Sequence, residues 1–331
     1  MDISLIYKIF DIKELKSIIY EYVIFTPKTR EELKDGVIKY YYANYDSHLC
    51  DNPLADLPPD NTLQQYGNIN DWDVSNITDM SWLFTDLEDF DEPIGNWDVS
   101  NVTNMNHMFQ NAAIFNQDIS NWNTENVESM MMMFSYAYRF NKDIGNWKVE
   151  KVKNMHYMFW GAHKFNRPLK NWNTKNVKIM VGMFHHAHNF DQDINDWDVS
   201  NVTRMDQMFF YAKKFNKPLG KWDVGNVIDM NTMFDNALCF NQNLENWNVK
   251  KVVDMNAMFY NSPFDLSYTK KWNIDRVKFI LKTYYHNKSF EKYVTSFNSG
   301  EDRNEPELLK LAEHSNLPIE EWDLPSYVSD Y

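Results

Sequence analysis

The chain has 331 residues, 44% of them hydrophobic and 16% aromatic, with a formal net charge of −14 and a sequence pI near 5.1. This composition can fill a core and excludes a disordered polymer. The acidity argues against general nucleic-acid binding, and two distant cysteines, Cys50 and Cys239, make no disulfide framework and point to a reducing compartment.

The N-terminus, "MDISLIYKIFDIKELKSIIYEYVIF", is apolar but broken by Asp2, Lys8, Asp11, Lys13 and Glu14. It has no basic n-region and no small-residue cleavage site, so it does not read as a signal peptide. No apolar run reaches the roughly 18 residues of a membrane span. An intracellular setting is expected, the host cytoplasm or a virion if the chain is viral. Periodicity predicts helices over 3–23 and 28–44, with Thr29 as N-cap. Residues 1–65 are therefore expected to form a helical cap. "SLIYKIFDIKELKSI" also resembles an F-box faintly, without its Leu-Pro opening, which would imply a substrate adaptor.

From residue 66 the chain repeats. Tryptophans fall at 72, 97, 122, 147, 172, 197, 222, 247 and 272, always 25 residues apart. Counting each of the first eight of these tryptophans as position 0, Ile or Leu stands at −3 and Val or Thr at +2. Val or Ile stands at +5, Met at +8, Met or Leu at +11 and Phe at +12. Ala is the commonest residue at +15, and Phe fills +18 in all but the last repeats. The I–x–x–W–x–V stretch reads as a strand with one buried face. The M–x–x–M–F–x–x–A–x–x–F stretch has the spacings of three and four of a short amphipathic helix. The expected fold is an α/β repeat solenoid over 66–280, about eight strand-plus-short-helix coils, each burying its apolar side against the next. The methionine columns then belong to the core and not to a soft-metal site. The tryptophans share the inward phase of Val and are expected inside. Asn recurs at +4 and +19 and reads as structural ladders. The N–x–S/T matches at Asn76, Asn101, Asn201 and Asn287 read as by-products of the repeat.

"FNQDISNWNTENVESMMMMF" and "WDVSNVTNMNHMFQNAAIFNQDI" resemble the BspA-like surface-protein repeat, a leucine-rich-repeat relative also described as a mycoplasma repeat of unknown function. The resemblance covers about 66–280. It implies a right-handed, leucine-rich-repeat-like solenoid used for adhesion or protein binding, with no catalytic residues to carry over. Relatives occur in bacterial surface lipoproteins, protists and giant DNA viruses. This chain lacks a lipobox cysteine, and its Asn, Ile, Lys and Tyr bias fits the viral or protist branch.

After Trp272 the code decays. "RVKFILKTYYHNKSFEKYVTSF" predicts a closing helix and 305–315 another, so 281–331 is expected to be a helical cap with an acidic tail.

Chemistry is sparse. No phosphate-cradling glycine loop and no spaced Cys/His set occurs, so no cofactor and no metal are expected. His163, His185, His186 and His188 could meet on one face and read as surface histidines before metal ligands. Asp73, Asp98, Asp198 and Asp223 recur singly and are not paired for acid–base work. The chain does not read as an enzyme.

Two surface features stand out. Residues 139–178 hold ten bases against Asp143 and Glu150, a net +8 that leaves −22 for the rest of the chain. Aromatics follow the +12 Phe at Tyr136, Trp160, Phe210, Tyr211 and Tyr260. Together they suggest an interaction surface of Lys148, Lys151, Lys153, Arg167, Lys175, Lys178, Tyr136, Trp160, Phe210 and Tyr211. The function so read is a non-catalytic scaffold with a protein partner. Second comes a binder of an anionic polymer, nucleic acid or acidic glycan, through the basic belt at 139–178. The F-box-like adaptor comes third.

Overall fold

A computed structural model describes residues 24–45, 66–269 and 271–272. The expected helix over 3–23, with its F-box likeness, lies outside the described residues, as do the expected helices and tail after Trp272.

Helix α1 spans Arg30–Tyr45. The Thr29 hydroxyl accepts from Glu32 N at 3.1 Å, while the Glu32 carboxylate accepts from Lys28 N at 2.6 Å. That is close to the reciprocal arrangement of a capping box. Glu31 and Glu32 also place negative charge where the helix dipole favours it. Leu33, Val37 and Tyr40, spaced four and three apart, form its buried stripe. Gly36 lets Phe25 close onto the helix, and Phe25 and Tyr40 meet Trp72 edge-on at 4.8 and 5.9 Å.

Beyond α1 the 25-residue units, numbered here 1 to 8 from Trp72, lie side by side. Parallel bridges join position +7 of each to +7 of the next, from Asp79↔Asn104 through Asp229↔Asp254. The inward columns are closed to solvent: the nine lattice tryptophans are 2–4% exposed, and Met105, Met155, Met205 and Met255 are 0% exposed. The +18 phenylalanines stack on their counterparts one repeat on at 5.9–6.2 Å, and five pairs of successive tryptophans, Trp72–Trp97, Trp122–Trp147, Trp172–Trp197, Trp222–Trp247 and Trp247–Trp272, do so at 6.1–6.3 Å.

Tryptophan has a second task at position 0. Each indole N–H from Trp97 to Trp272 donates to the carbonyl at −3 of the preceding repeat, as in Trp172 Nε1 to Ile144 O at 3.0 Å. A buried carbonyl would otherwise lack a partner. Asparagine ties the outside. At +4 the amides of Asn101, Asn126, Asn176, Asn201 and Asn226 donate to a carbonyl of the repeat before. At +19 an unbroken series runs from Asp91 to Asn241, each side chain accepting the backbone N–H of the next member, and Asn241 in turn accepts from Asp265 N at +18 of repeat 8.

The expected short helix is absent from the described repeats, and the backbone shows why. The N–H groups at +8, +10, +12 and +14 donate sideways to the carbonyls at +7, +9, +11 and +13 of the next repeat, as in His107 to Met131 O at 2.8 Å. They are therefore not available to the i−4 carbonyls of a helix. Within the repeat the chain makes tight turns instead. Met108 N bonds Met105 O and Ala112 N bonds Phe109 O, with positive φ at His107 (59°) and Asn111 (58°). A positive φ at the third residue of a four-residue turn is the type II signature. Consecutive type II turns return side chains inward every three or four residues, which is the spacing that mimicked a helix. The strand is likewise reduced: pairing is a single bridge at +7, and I–x–x–W–x–V forms no ladder of its own.

Repeat 1 has no repeat before it, so its outer carbonyls need other donors. The Arg30 guanidinium takes Ser81 O at 2.6 and 3.2 Å, and Lys34 Nζ takes Trp82 O at 2.9 Å. Helix α1 thus covers an edge that would otherwise be open to another chain.

Candidate interaction face

The sideways hydrogen bonding fixes which side chains point out. Positions +9, +10, +13, +14 and +16 fall between the inward +8, +11, +12 and +15, and they form one face across the repeats. In repeats 1, 2, 7 and 8 this face is mostly polar, with Asp86, Asn111, Asn236 and Asn261 at +14. In repeats 3 to 6 it is aromatic. Tyr136 lies 4.6 Å from Trp160, Trp160 lies 5.3 Å from His185, and His185 stacks on Phe210 at 4.6 Å. Tyr211 stacks on His186 at 4.7 Å, and His163 on His188 at 4.5 Å.

Two glycines let the rings lie flat along the stack. A Cβ on Gly182 would run into the Tyr157 ring, and one on Gly161 would crowd Tyr136. Tyr157 therefore crosses a whole repeat, and its hydroxyl donates to Gln207 Oε1 at 2.6 Å. The other ring carriers stand at a conformational disadvantage. Tyr136 (φ 57°), Tyr157 (51°), His186 (56°) and Tyr211 (55°) all have left-handed backbone. Asn, Asp and His adopt it more readily, whereas a bulky residue such as Tyr does so at roughly 1–2 kcal/mol.

The imidazoles are neutral members of this face. Burial, with His186 alongside, pushes His185 down to about 3. Burial, then His163 and Lys213, pushes His188 down to about 4. His185 and His186 share a hydrogen bond between their Nδ1 atoms at 2.8 Å. Among the described residues no three His, Cys, Asp or Glu side chains are grouped to hold a metal ion.

Three stretches of the chain, 59–172, 161–269 and 263–330, match the family described as Mycoplasma protein of unknown function, DUF285. The chain belongs to this family. Its last match runs to 330, past Trp272, the last tryptophan of the lattice. No curated protein matches the chain, and no solved structure does. Membership marks a repeat protein and brings no reaction or partner with it. Among the described residues no helix is long and apolar enough to cross a membrane.

Of the ten surface residues singled out in the sequence, the structure brings together the four aromatics, Tyr136, Trp160, Phe210 and Tyr211, in this DUF285 chain. The lysines stand elsewhere on the repeat. Lys148, Lys151, Lys153, Lys175 and Lys178 occupy +1 to +6, before the inward +8, and Arg167 stands at +20. Several bond along the stack: Lys151 Nζ to Asn126 Oδ1, Lys153 Nζ to Glu128 Oε2, and Arg167 Nε to Asn141 O, at 2.6, 2.6 and 2.8 Å. Lys148, Lys175 and Lys178 are exposed on the same side. His163, His185, His186 and His188 also lie on this face, whereas Tyr157 and Tyr138 belong to it and were missed as members. The signal for them was the column they share with outward residues of other repeats, +10 or +16.

Proposed function

We propose that this DUF285 chain is a non-catalytic scaffold, a continuous repeat solenoid whose middle repeats hold a protein-binding face. One observation supports this above all. At +14 the flanking repeats use Asp86, Asn111, Asn236 and Asn261, which suit left-handed backbone, while repeats 3 and 6 place Tyr136 and Tyr211 there. Residues that strain the backbone without filling the core persist where recognition needs them. Half-buried Tyr and Trp are also the side chains that most often anchor protein contacts. Kinship with BspA-like surface repeats, read from the repeat motif, points the same way. The basic belt supports the anionic-polymer reading less, because it divides between two sides of the repeat and Lys153 is matched by Glu128.

The test is retention from native host extract on the immobilised full chain, beside a Tyr136→Ser, Trp160→Ser, Phe210→Ser variant of unchanged circular dichroism. The reading expects a retained protein that the variant loses. Equal retention by both removes the face from the function.

A further inference from the structure

The aromatic face has a charged edge. Positions +16 to +20 of repeats 3 to 6 read YRFNK, HKFNR, HNFDQ and KKFNK, seven cations against one carboxylate. That carboxylate, Asp191, is already held by Lys217 at 2.9 Å. In repeat 1 the same positions read EDFDE, and in repeats 2 and 7 AIFNQ and LCFNQ. On a molecule of net charge −14, positive charge is thus gathered along one edge of the repeats that carry the rings, with carboxylates at the N-terminal end of the same edge.

The edge and the face are in contact. Lys213 Nζ stands 5.9 Å over the Tyr211 ring. Burial first, then the charges of Lys213 and Lys164, hold His163 below the ordinary imidazole range. Arg139, Lys164, Lys213 and Lys214 are exposed.

We propose that the face takes an acidic polypeptide segment with apolar or aromatic anchors. Its carboxylates lie against Lys164, Lys213 and Lys214, and its anchors lie against the row from Tyr136 to Phe210. The proposal rests on the reading of this face as a protein-binding surface and adds the chemistry of the partner. Cations beside the anchors favour acidic partners and speed their encounter. A single-stranded nucleic acid would need open ring faces on which bases can stack. Here the rings turn their faces to one another or to the backbone: His185 to Phe210, His186 to Tyr211, and Tyr157 to Gly182.

The test measures fluorescence anisotropy on the full chain with four labelled probes: a random glutamate–tyrosine copolymer, polyglutamate, a random lysine–tyrosine copolymer and oligothymidylate. The glutamate–tyrosine copolymer is expected to bind about tenfold tighter than the others and to weaken with salt. Lys164→Glu with Lys213→Glu, and separately Trp160→Ala, each weaken it about tenfold at unchanged circular dichroism. Lys151→Glu with Lys175→Glu leaves it unchanged. The proposal is overturned if polyglutamate binds equally well, if oligothymidylate binds tighter, if only Lys151→Glu with Lys175→Glu weakens binding, or if no probe binds. Tighter, Trp160-dependent binding of the lysine–tyrosine copolymer overturns the acidic partner and leaves the protein-binding face standing. Binding that ignores Trp160 removes both.

Discussion

Repeats 3 to 6 and the repeats on either side of them share one interior and differ on one face. Met105, Met155 and Met255 are buried alike. Yet +13 holds Gln110, Trp160, Phe210 and Asp235 in turn, and +14 passes from Asn111 through Tyr136 and Tyr211 to Asn236. An inward side chain must fit the identical side chain above and below it, so the interior admits little variation. A residue of the outer face is less constrained, although Ser135, Asp206 and Asp235 there are buried. On the proposed reading, stability and recognition draw largely on different positions of the same 25 residues.

The largest effect belongs to the shared interior. Met155→Asp in the middle and Met255→Asp near the end each bury an unpaired carboxylate and lose several kcal/mol, on the order of the whole stability. Thermal melts by circular dichroism check this, and a wild-type melting temperature for either variant breaks the claim of one interior. The indole staples come next. Trp172→Phe and Trp247→Phe leave Ile144 O and Leu219 O without their donors. Each loses about 1–3 kcal/mol in urea titrations, by the same mechanism in both regions. A loss confined to Trp172 would mean that the middle repeats are built differently inside.

Acid should act on the middle repeats. The His185 and His188 imidazoles, at about 3 and 4 in the folded chain, lie below the ordinary 6.5. As pH falls below 6.5 the unfolded chain takes the protons first, so stability is full above 6.5 and is lost progressively toward pH 4. Facing His185 are His186, Tyr157, Trp160 and Phe210; facing His188 are His163, His186 and Lys213. Burial pushes Asp235 in repeat 7 up to about 6. That carboxyl acts in the opposite sense: it favours the folded chain at low pH and loses that contribution as pH rises from about 4 to 6. His185→Phe should shrink the drop in melting temperature between pH 7.5 and pH 5, and Asp235→Asn should enlarge it. Unchanged drops in both would contradict the burial seen here.

The register and the interior were legible because nine tryptophans on one 25-residue lattice leave no other phase. The helix was misread because M–x–x–M–F has the spacing of a helical face, and only the sideways hydrogen bonds and the left-handed residues reveal turns. The face was half legible. Trp160 and Phe210 follow the core Phe directly, which places them outside the inward columns. Tyr157 stands one residue before a core Met, and its role appears only once Gly182 is seen beneath it. The lysine run misled for a related reason. A stretch such as 139–178 winds more than once around the stack, so neighbours in sequence, Lys151 and Lys164, stand on different sides, at +4 and +17. Charge summed along the chain mixed two surfaces that the fold separates.

The central claim, that repeats 3 to 6 hold strained aromatics for recognition and not for stability, is tested most directly by one melting temperature. Tyr136→Asn with Tyr211→Asn restores at +14 the residue type used by the flanking repeats. It relieves left-handed strain of roughly 1 kcal/mol per site while removing two half-buried rings. The account predicts a melting temperature at or above that of the wild type, in a protein that no longer retains its partner. A clear fall in melting temperature with the partner still retained would contradict it.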